Sequence, residues 1–260
     1  MKLKDLHNHT HFSFDSEAGI DELCMKAIDM GLDTIAITNH FDYDCIKKKL
    51  YEEYDGFGDT DEIEAAKERY KGKLRILRGI ELGQPHTYTD EVDGIIQKYK
   101  VEYLLCSLHN LKDAPDFYYF NFEIMEDMQI RAWFDRYLDE TYQMVSTVRM
   151  DTLAHIGYPL RYIKRAGRAL DVMQYKDKYE KIFKKVIEKN ISLEVNTSGL
   201  RKAFDMDTTP GRDIIRLYRE CGGRRVSIGS DAHVAKDTGA FVEEMYKELS
   251  GIGFTEINEF

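Results

Sequence analysis

Several features that would set this chain apart from an ordinary globular protein are missing. It has only four cysteines, Cys24, Cys45, Cys106 and Cys221, and no two lie close together. That pattern argues against a disulfide framework and against a cysteine-type zinc site. No apolar run approaches the roughly 20 residues needed to span a bilayer. Residues 1–5 carry no apolar stretch, so neither a secretory signal nor a membrane partner is expected, and the cytoplasm is the expected location. Basic residues are outnumbered by acidic ones, for a net charge of -10, which argues against a protein that grips nucleic-acid backbones through broad electrostatics. A small anionic substrate stays open, because a bound metal outweighs the global field locally. No repeat, low-complexity tract or Pro/Gly/Ser linker divides the 260 residues, so one domain spanning 1–260 is expected.

What is present is an alternation of short apolar runs with longer segments of helical period. Strand-like runs fall at 3–6, 34–38, 74–80, 103–108, 152–154, 191–195 and 226–228. Amphipathic faces are spelled by Ile20, Leu23, Cys24, Ala27 and Ile28, by Phe134, Tyr137, Leu138, Thr141 and Val145, by Tyr179, Ile182, Phe183, Val186 and Ile187, and by Phe241, Val242, Met245, Tyr246 and Leu249. Gly31 and Asn190 stand where helices are expected to end. The alternation predicts a parallel sheet with helices outside, and seven strands fit a closed or nearly closed α/β barrel better than a small open sheet. A doubly wound open sheet is the alternative. Two connections, 41–61 and 110–125, are longer than barrel turns require. The second carries Phe117, Tyr118, Tyr119, Phe120 and Phe122, which either wall a site or pack the loop onto the barrel.

The informative pattern is where histidines and certain carboxylates fall. His7 and His9 end the first strand, two apart and so on one face. His40, Glu81, His109 and His155 end the second to fifth strands, and Asp231 and His233 follow the seventh. Any one of these alone reads as a polar core or surface residue. Six of seven strand ends, however, meet at one mouth in a barrel, the face where such barrels place their chemistry. Imidazoles mixed with carboxylates suit Zn²⁺, Mn²⁺ or Fe²⁺ better than Ca²⁺ or Mg²⁺.

The pattern His7-x-His9, His40, Glu81, His109, His155 and Asp231-x-His233, in this order and at these positions, resembles the PHP (polymerase and histidinol phosphatase) family over the whole chain. The length and the segments 10–15 and 157–159 are most similar to its histidinol-phosphatase branch. The resemblance implies a distorted (β/α)7 TIM-like barrel with two or three divalent ions. It implies that His7, His9, Glu81 and Asp231 hold one ion, that Glu81, His109 and His155 hold a second with Glu81 bridging, and that Asp15, His40 and His233 hold a third. Asp15 departs by one residue from the usual spacing, and its other reading is a residue facing a helix N-terminus. His11 and His86 match no ligand position and are expected to be structural or solvent-facing. Arginine suits phosphate through bidentate contacts, and Arg161 and Arg201 lie in loops on the metal side.

The implied activity is hydrolysis of L-histidinol phosphate to L-histidinol and phosphate in histidine biosynthesis, by a hydroxide between two ions attacking phosphorus. Asp231 or His233 would deliver a proton to the leaving oxygen. Three divalent ions, the carboxylates of Asp15, Glu81 and Asp231, one hydroxide and a phosphomonoester dianion sum to about zero charge, which leans toward a monoester. The competing readings are another PHP phosphoesterase acting on a nucleotide, sugar phosphate or phosphotyrosine, a metal-binding module without catalysis, and an amidohydrolase-type barrel. Residues in 113–122 or 41–44 would suit a cationic amine and an imidazole.

Overall fold

A computed structural model describes residues 2–43, 60–201 and 206–259. The greater part of the long 41–61 connection, with Cys45, therefore lies outside the described residues. The strands are β1 (Lys4–Asp5), β2 (Thr34–Ile37), β3 (His40–Asp42), β4 (Arg75–Gly83), β5 (Tyr103–Ser107), β6 (Thr152–Leu153), β7 (Ser192–Asn196), β8 (Arg225–Gly229) and β9 (Glu256–Ile257). The helices are α1 (Ile20–Asp29), α2 (Thr60–Arg69), α3 (Thr89–Tyr99), α4 (Asp127–Thr147), α5 (Pro159–Arg165), α6 (Lys176–Glu188), α7 (Arg212–Glu220) and α8 (Val242–Ile252). Every strand pair is parallel, in the order β1-β2-β4-β5-β6-β7-β8-β9, with β3 continuing β2 along the edge of β4. The ring closes where the segment after β1 meets β8. Leu6 N donates to Ile228 O, Asp231 N to His7 O, and His9 N to Ala232 O. Lower down, β9 lies against β8, and the Asn258 side chain bridges the seam by accepting from Ile228 N and donating to Lys4 O.

Alternation decides what faces where. In β7, Leu193 and Val195 point outward into the continuous core between sheet and helices, as do Ile80 and Leu82 of β4 and Val226 and Ile228 of β8. The inward positions form a separate small plug of Leu6, Ala36, Leu77, Tyr103, Leu105 and Ala154 inside the ring. Polar residues take over above it. Counting by twos from Leu77 reaches Glu81, so the pleat of β4 aims it into the mouth, and the same alternation carried two residues past β5 brings His109 there. Counting by twos along β8 likewise passes from Ser227 through Gly229 to Asp231, whereas His155, next to the inward Ala154, breaks the count; both have a positive φ, 21° for His155 and 55° for Asp231. Strained backbone of this kind is held in place only by its surroundings, and at His155 it turns inward a side chain that the pleat would send out. Two expectations are corrected. The second strand breaks at Thr38–Asn39 and resumes, so His40 begins β3 instead of ending β2, and β9 was not foreseen. Among the described residues no helix is long and apolar enough to cross a membrane.

Candidate metal centre

Nine side chains expected at one mouth are brought together there by the fold, with Glu81 in the middle. Its Oε2 lies 3.1 Å from His7 Nε2, 3.4 Å from His9 Nε2 and 3.3 Å from His40 Nδ1. Its Oε1 lies 3.1 Å from His109 Nε2 and 2.8 Å from His155 Nε2. The two oxygens thus face two different groups of imidazoles. Asp231 Oδ1 closes the first group, 3.6 Å from His7 and 3.4 Å from His9. Asp15 Oδ2 stands 3.1 Å from His233 Nε2 and 3.5 Å from His40 Nε2. Because α1 begins only at Ile20 behind Gly19, Asp15 does not sit at its N-terminus.

Burial by itself would strip these groups of charge; their neighbours restore it. Against burial, Glu194, Glu81 and Asp231 push His7 well above the ordinary imidazole range, and Glu81 and Asp42 do the same for His109. Against burial again, Asp15 and Glu81 push His40 up to about 9, and Asp15 with Asp231 raises His233. His9 goes the other way, to about 3, through burial and the neighbouring His233 and His40. Burial also opposes ionised Glu81 and Asp231, yet His7 and the other imidazoles hold both carboxyls well below the usual range.

The donor chemistry fits divalent ions. His7 Nδ1 lies 2.6 Å from Glu194 Oε1, so in the neutral imidazole the hydrogen belongs on Nδ1 and Nε2 is the nitrogen open to an ion. That nitrogen is 3.0 Å from His9 Nε2. Two ring nitrogens at that distance need a proton or a metal ion between them. Four trios could hold an ion: His7, His9 and Asp231; His7, Glu81 and His155; His9, His40 and His233; and His40, Asp42 and His109. Mixed imidazole and carboxylate sets of this kind suit Zn²⁺, Mn²⁺ or Fe²⁺.

A cavity of about 450 Å³ opens over the cluster, lined among others by Asp116, Tyr118, Tyr158, Arg161 and Tyr162. Arg161 Nη2 donates to Ser198 Oγ at 2.7 Å and lies 3.5 Å from Asp231 Oδ2. Arg201 is placed differently. It is not among the cavity-lining residues, and its Nη1 and Nη2 donate to the carbonyls of Ser230 and Asp231, bracing the turn that presents Asp231. His11 stays half exposed, 3.8 Å from Glu62, and His86 is buried against Glu140, so neither joins the cluster. The aromatic run divides its work, with Phe117 and Phe122 in the core and Tyr118 and Tyr119 at the cavity. Sequence reasoning missed Asp42 and Glu194, both buried beside the imidazoles. With these two further carboxylates the sum of charges no longer balances and no longer favours a monoester. The available signal for Glu194 was its place between Leu193 and Val195, on the polar side of an alternating strand.

Comparison with known proteins agrees with this geometry. The family model described as the PHP domain matches residues 5–198. A protein of Thermotoga maritima named "Probable histidinol-phosphatase" is 29% identical over 252 residues, covering 96% of this chain and 92% of that one. A protein of the same name from Clostridium acetobutylicum is 30% identical over 257 residues, covering 96% and 89%. The solved structure of histidinol phosphate phosphatase from Lactococcus lactis, complexed with zinc, L-histidinol and phosphate, is similar with a TM-score of 0.80 at 21% identity, covering 98% of this chain and 95% of that one.

Proposed function

The chain belongs to the PHP domain family, and from that premise we propose that it hydrolyses L-histidinol phosphate to L-histidinol and phosphate, a step of histidine biosynthesis, in the cytoplasm. One observation carries the reading: Glu81 presents one oxygen to His7 and His9 and the other to His109 and His155, beneath a cavity of small-molecule size. Relatives named for this activity support the substrate.

Zinc in the Lactococcus lactis structure supports divalent ions in the same mouth. His7, His9, Glu81 and Asp231 would hold one, Glu81, His109 and His155 a second, and Asp15, His40 and His233 a third. Bound there, such ions supply Lewis acidity toward phosphate and a water acidic enough to act as nucleophile at neutral pH. The chain's own residues do the rest. Arg161 reaches the cavity with a guanidinium that binds phosphate oxygens. Arg201 acts one step back, through the Asp231 turn. Asp231 and His233 both line the cavity, and the proton for the leaving oxygen belongs to this pair. At the far side, Asp116 accepts from Tyr158 Oη at 3.3 Å, and Tyr158 and Tyr162 join through their hydroxyls at 2.6 Å. This acid and these ring faces suit the cationic amine and imidazole of histidinol.

The deciding measurement is phosphate release from L-histidinol phosphate with Mn²⁺ or Zn²⁺ present. Turnover well above that on a generic aryl phosphate is expected, and turnover no better than on the aryl ester would overturn the substrate.

A further inference from the structure

Two carboxylates stand behind the cluster: Glu194 belongs to no ion-holding trio, and Asp42 belongs only to the trio with His40 and His109, which is not one of the three sets of the proposed function. Glu194 is 1% exposed on β7. Its Oε1 lies 2.6 Å from His7 Nδ1, and its Oε2 accepts from the His155 backbone N at 2.7 Å and from Asn196 Nδ2 at 3.4 Å. Asp42 is 4% exposed on β3. Its Oδ1 lies 3.3 Å from His109 Nδ1 and accepts from Gln84 Nε2 at 3.1 Å, and its Oδ2 lies 3.6 Å from His40 Nδ1. Gln84 returns to His109 as well, since its Oε1 accepts from the His109 backbone N at 2.7 Å. Each carboxylate therefore stands behind two residues of the cluster at once.

Both depend on a side chain that is missing next door. A Cβ on Gly229 would collide with Glu194 Oε1 and His7 Cβ. A Cβ on Gly83, the register partner of Asp42, would collide with the Asp42 carboxylate. Neither glycine has a positive φ, so backbone conformation does not explain them. Room for the carboxylate does.

A neutral imidazole has one N–H. Where Nδ1 donates that hydrogen to a carboxylate, Nε2 carries the lone pair, and a second carboxylate of this kind fixes both tautomer and ring orientation. His7 Nε2 and His109 Nε2 then point at opposite oxygens of Glu81, 3.1 Å away in each case. We propose that Glu194 and Asp42 are positioning residues that hold His7 and His109 in the tautomer ready for metal on either side of Glu81, with Gly229 and Gly83 clearing the space they need. This rests on the metal-binding reading of the site.

The test uses the full chain, stripped of metal and reloaded with Zn²⁺ or Co²⁺. Competition against a chromophoric chelator should show ions held about 10- to 100-fold more weakly in Glu194→Gln and in Asp42→Asn. The visible Co²⁺ spectrum should shift in both. Affinities and spectra equal to those of the wild type would overturn the inference while leaving the metal reading intact. Outright loss of one ion from Asp42→Asn, with the others held normally, would make Asp42 a ligand and overturn its backing role. A wild-type chain that takes up no metal would overturn the metal reading and this inference with it. Side-chain ¹⁵N spectra of the loaded wild type need no variant at all. They should show His7 and His109 as Nδ1–H tautomers, and Nε2–H tautomers would overturn the assignment.

Discussion

Glu81 concentrates more of the centre's geometry than any other side chain described, because both of its oxygens face imidazoles. Glu81→Ala should therefore abolish tight metal uptake and lower kcat/KM by at least about 10²- to 10³-fold, the scale seen when one preorganised electrostatic contact is lost. Metal analysis and kinetics on the same sample check it. Arg161→Met removes a cavity-lining cation without touching the imidazoles, so metal content should stay unchanged while kcat/KM falls on the order of 10²-fold. Loss of metal in that variant would show that Arg161 serves the centre and not the phosphate. At this scale the histidines were legible because the chain has only eight and most of them mark strand ends. Asp42 and Glu194 were not, since carboxylates are abundant and their meaning depends on the face they occupy.

Among the elements, two glycines separate conformational need from steric need. Gly31, just past α1, has φ 70°, and a Cβ added there would meet nothing within 4 Å. Gly31→Ala should cost about 1 kcal/mol, from the left-handed backbone alone. Gly79 has no such φ, but a Cβ there would press on Thr38 Cγ2 at 2.7 Å and on the Ile37 and Tyr103 carbonyls at 3.1 and 3.3 Å. Gly79→Ala should cost more, about 1–3 kcal/mol, as an overpacked core does. Urea unfolding of both variants orders them, and a larger loss at Gly31 would contradict the argument. The strands that sequence periodicity located are those with clear apolar runs. Residues 40–42 and 256–257 are too short for a period to register, and they exist because β4 and β8 offer free edges. Helix α2 lacks the strong apolar stripe of the four that were foreseen, and packing decides it, whereas α7 carries such a stripe in Ile214, Ile215, Leu217 and Tyr218 that was not singled out.

For the whole molecule, the centre is a store of buried charge whose balance changes with metal. In the metal-free protein, burial opposes charge on His40, yet Asp15 and Glu81 raise it to about 9 from an ordinary 6.5. A raised imidazole stabilises the fold fully below its unfolded value and loses that contribution as pH rises through the folded one. The metal-free chain should therefore lose thermal stability between about pH 6.5 and 9. Metal uptake should do the reverse, tightening with pH, because ions must displace protons from His7, His40, His109 and His233. Calorimetry in buffers of different ionisation enthalpy should register net proton release, and none would contradict the protonated starting state. A chelator should lower Tm, and Zn²⁺ or Mn²⁺ should restore it, since binding to the native state alone stabilises by mass action.

The sequence by itself determined the barrel class, most of the candidate metal donors and the family, because periodicity and rare imidazoles are local properties of a chain. Only the tertiary structure decided which oxygen of Glu81 faces which imidazole, that Arg201 braces the Asp231 turn, and that Glu194 and Asp42 stand behind His7 and His109. Those relations join residues as far apart as His7 and Glu194, 187 positions along the chain. They come into being only when the ring closes and pleating turns each side chain to one face.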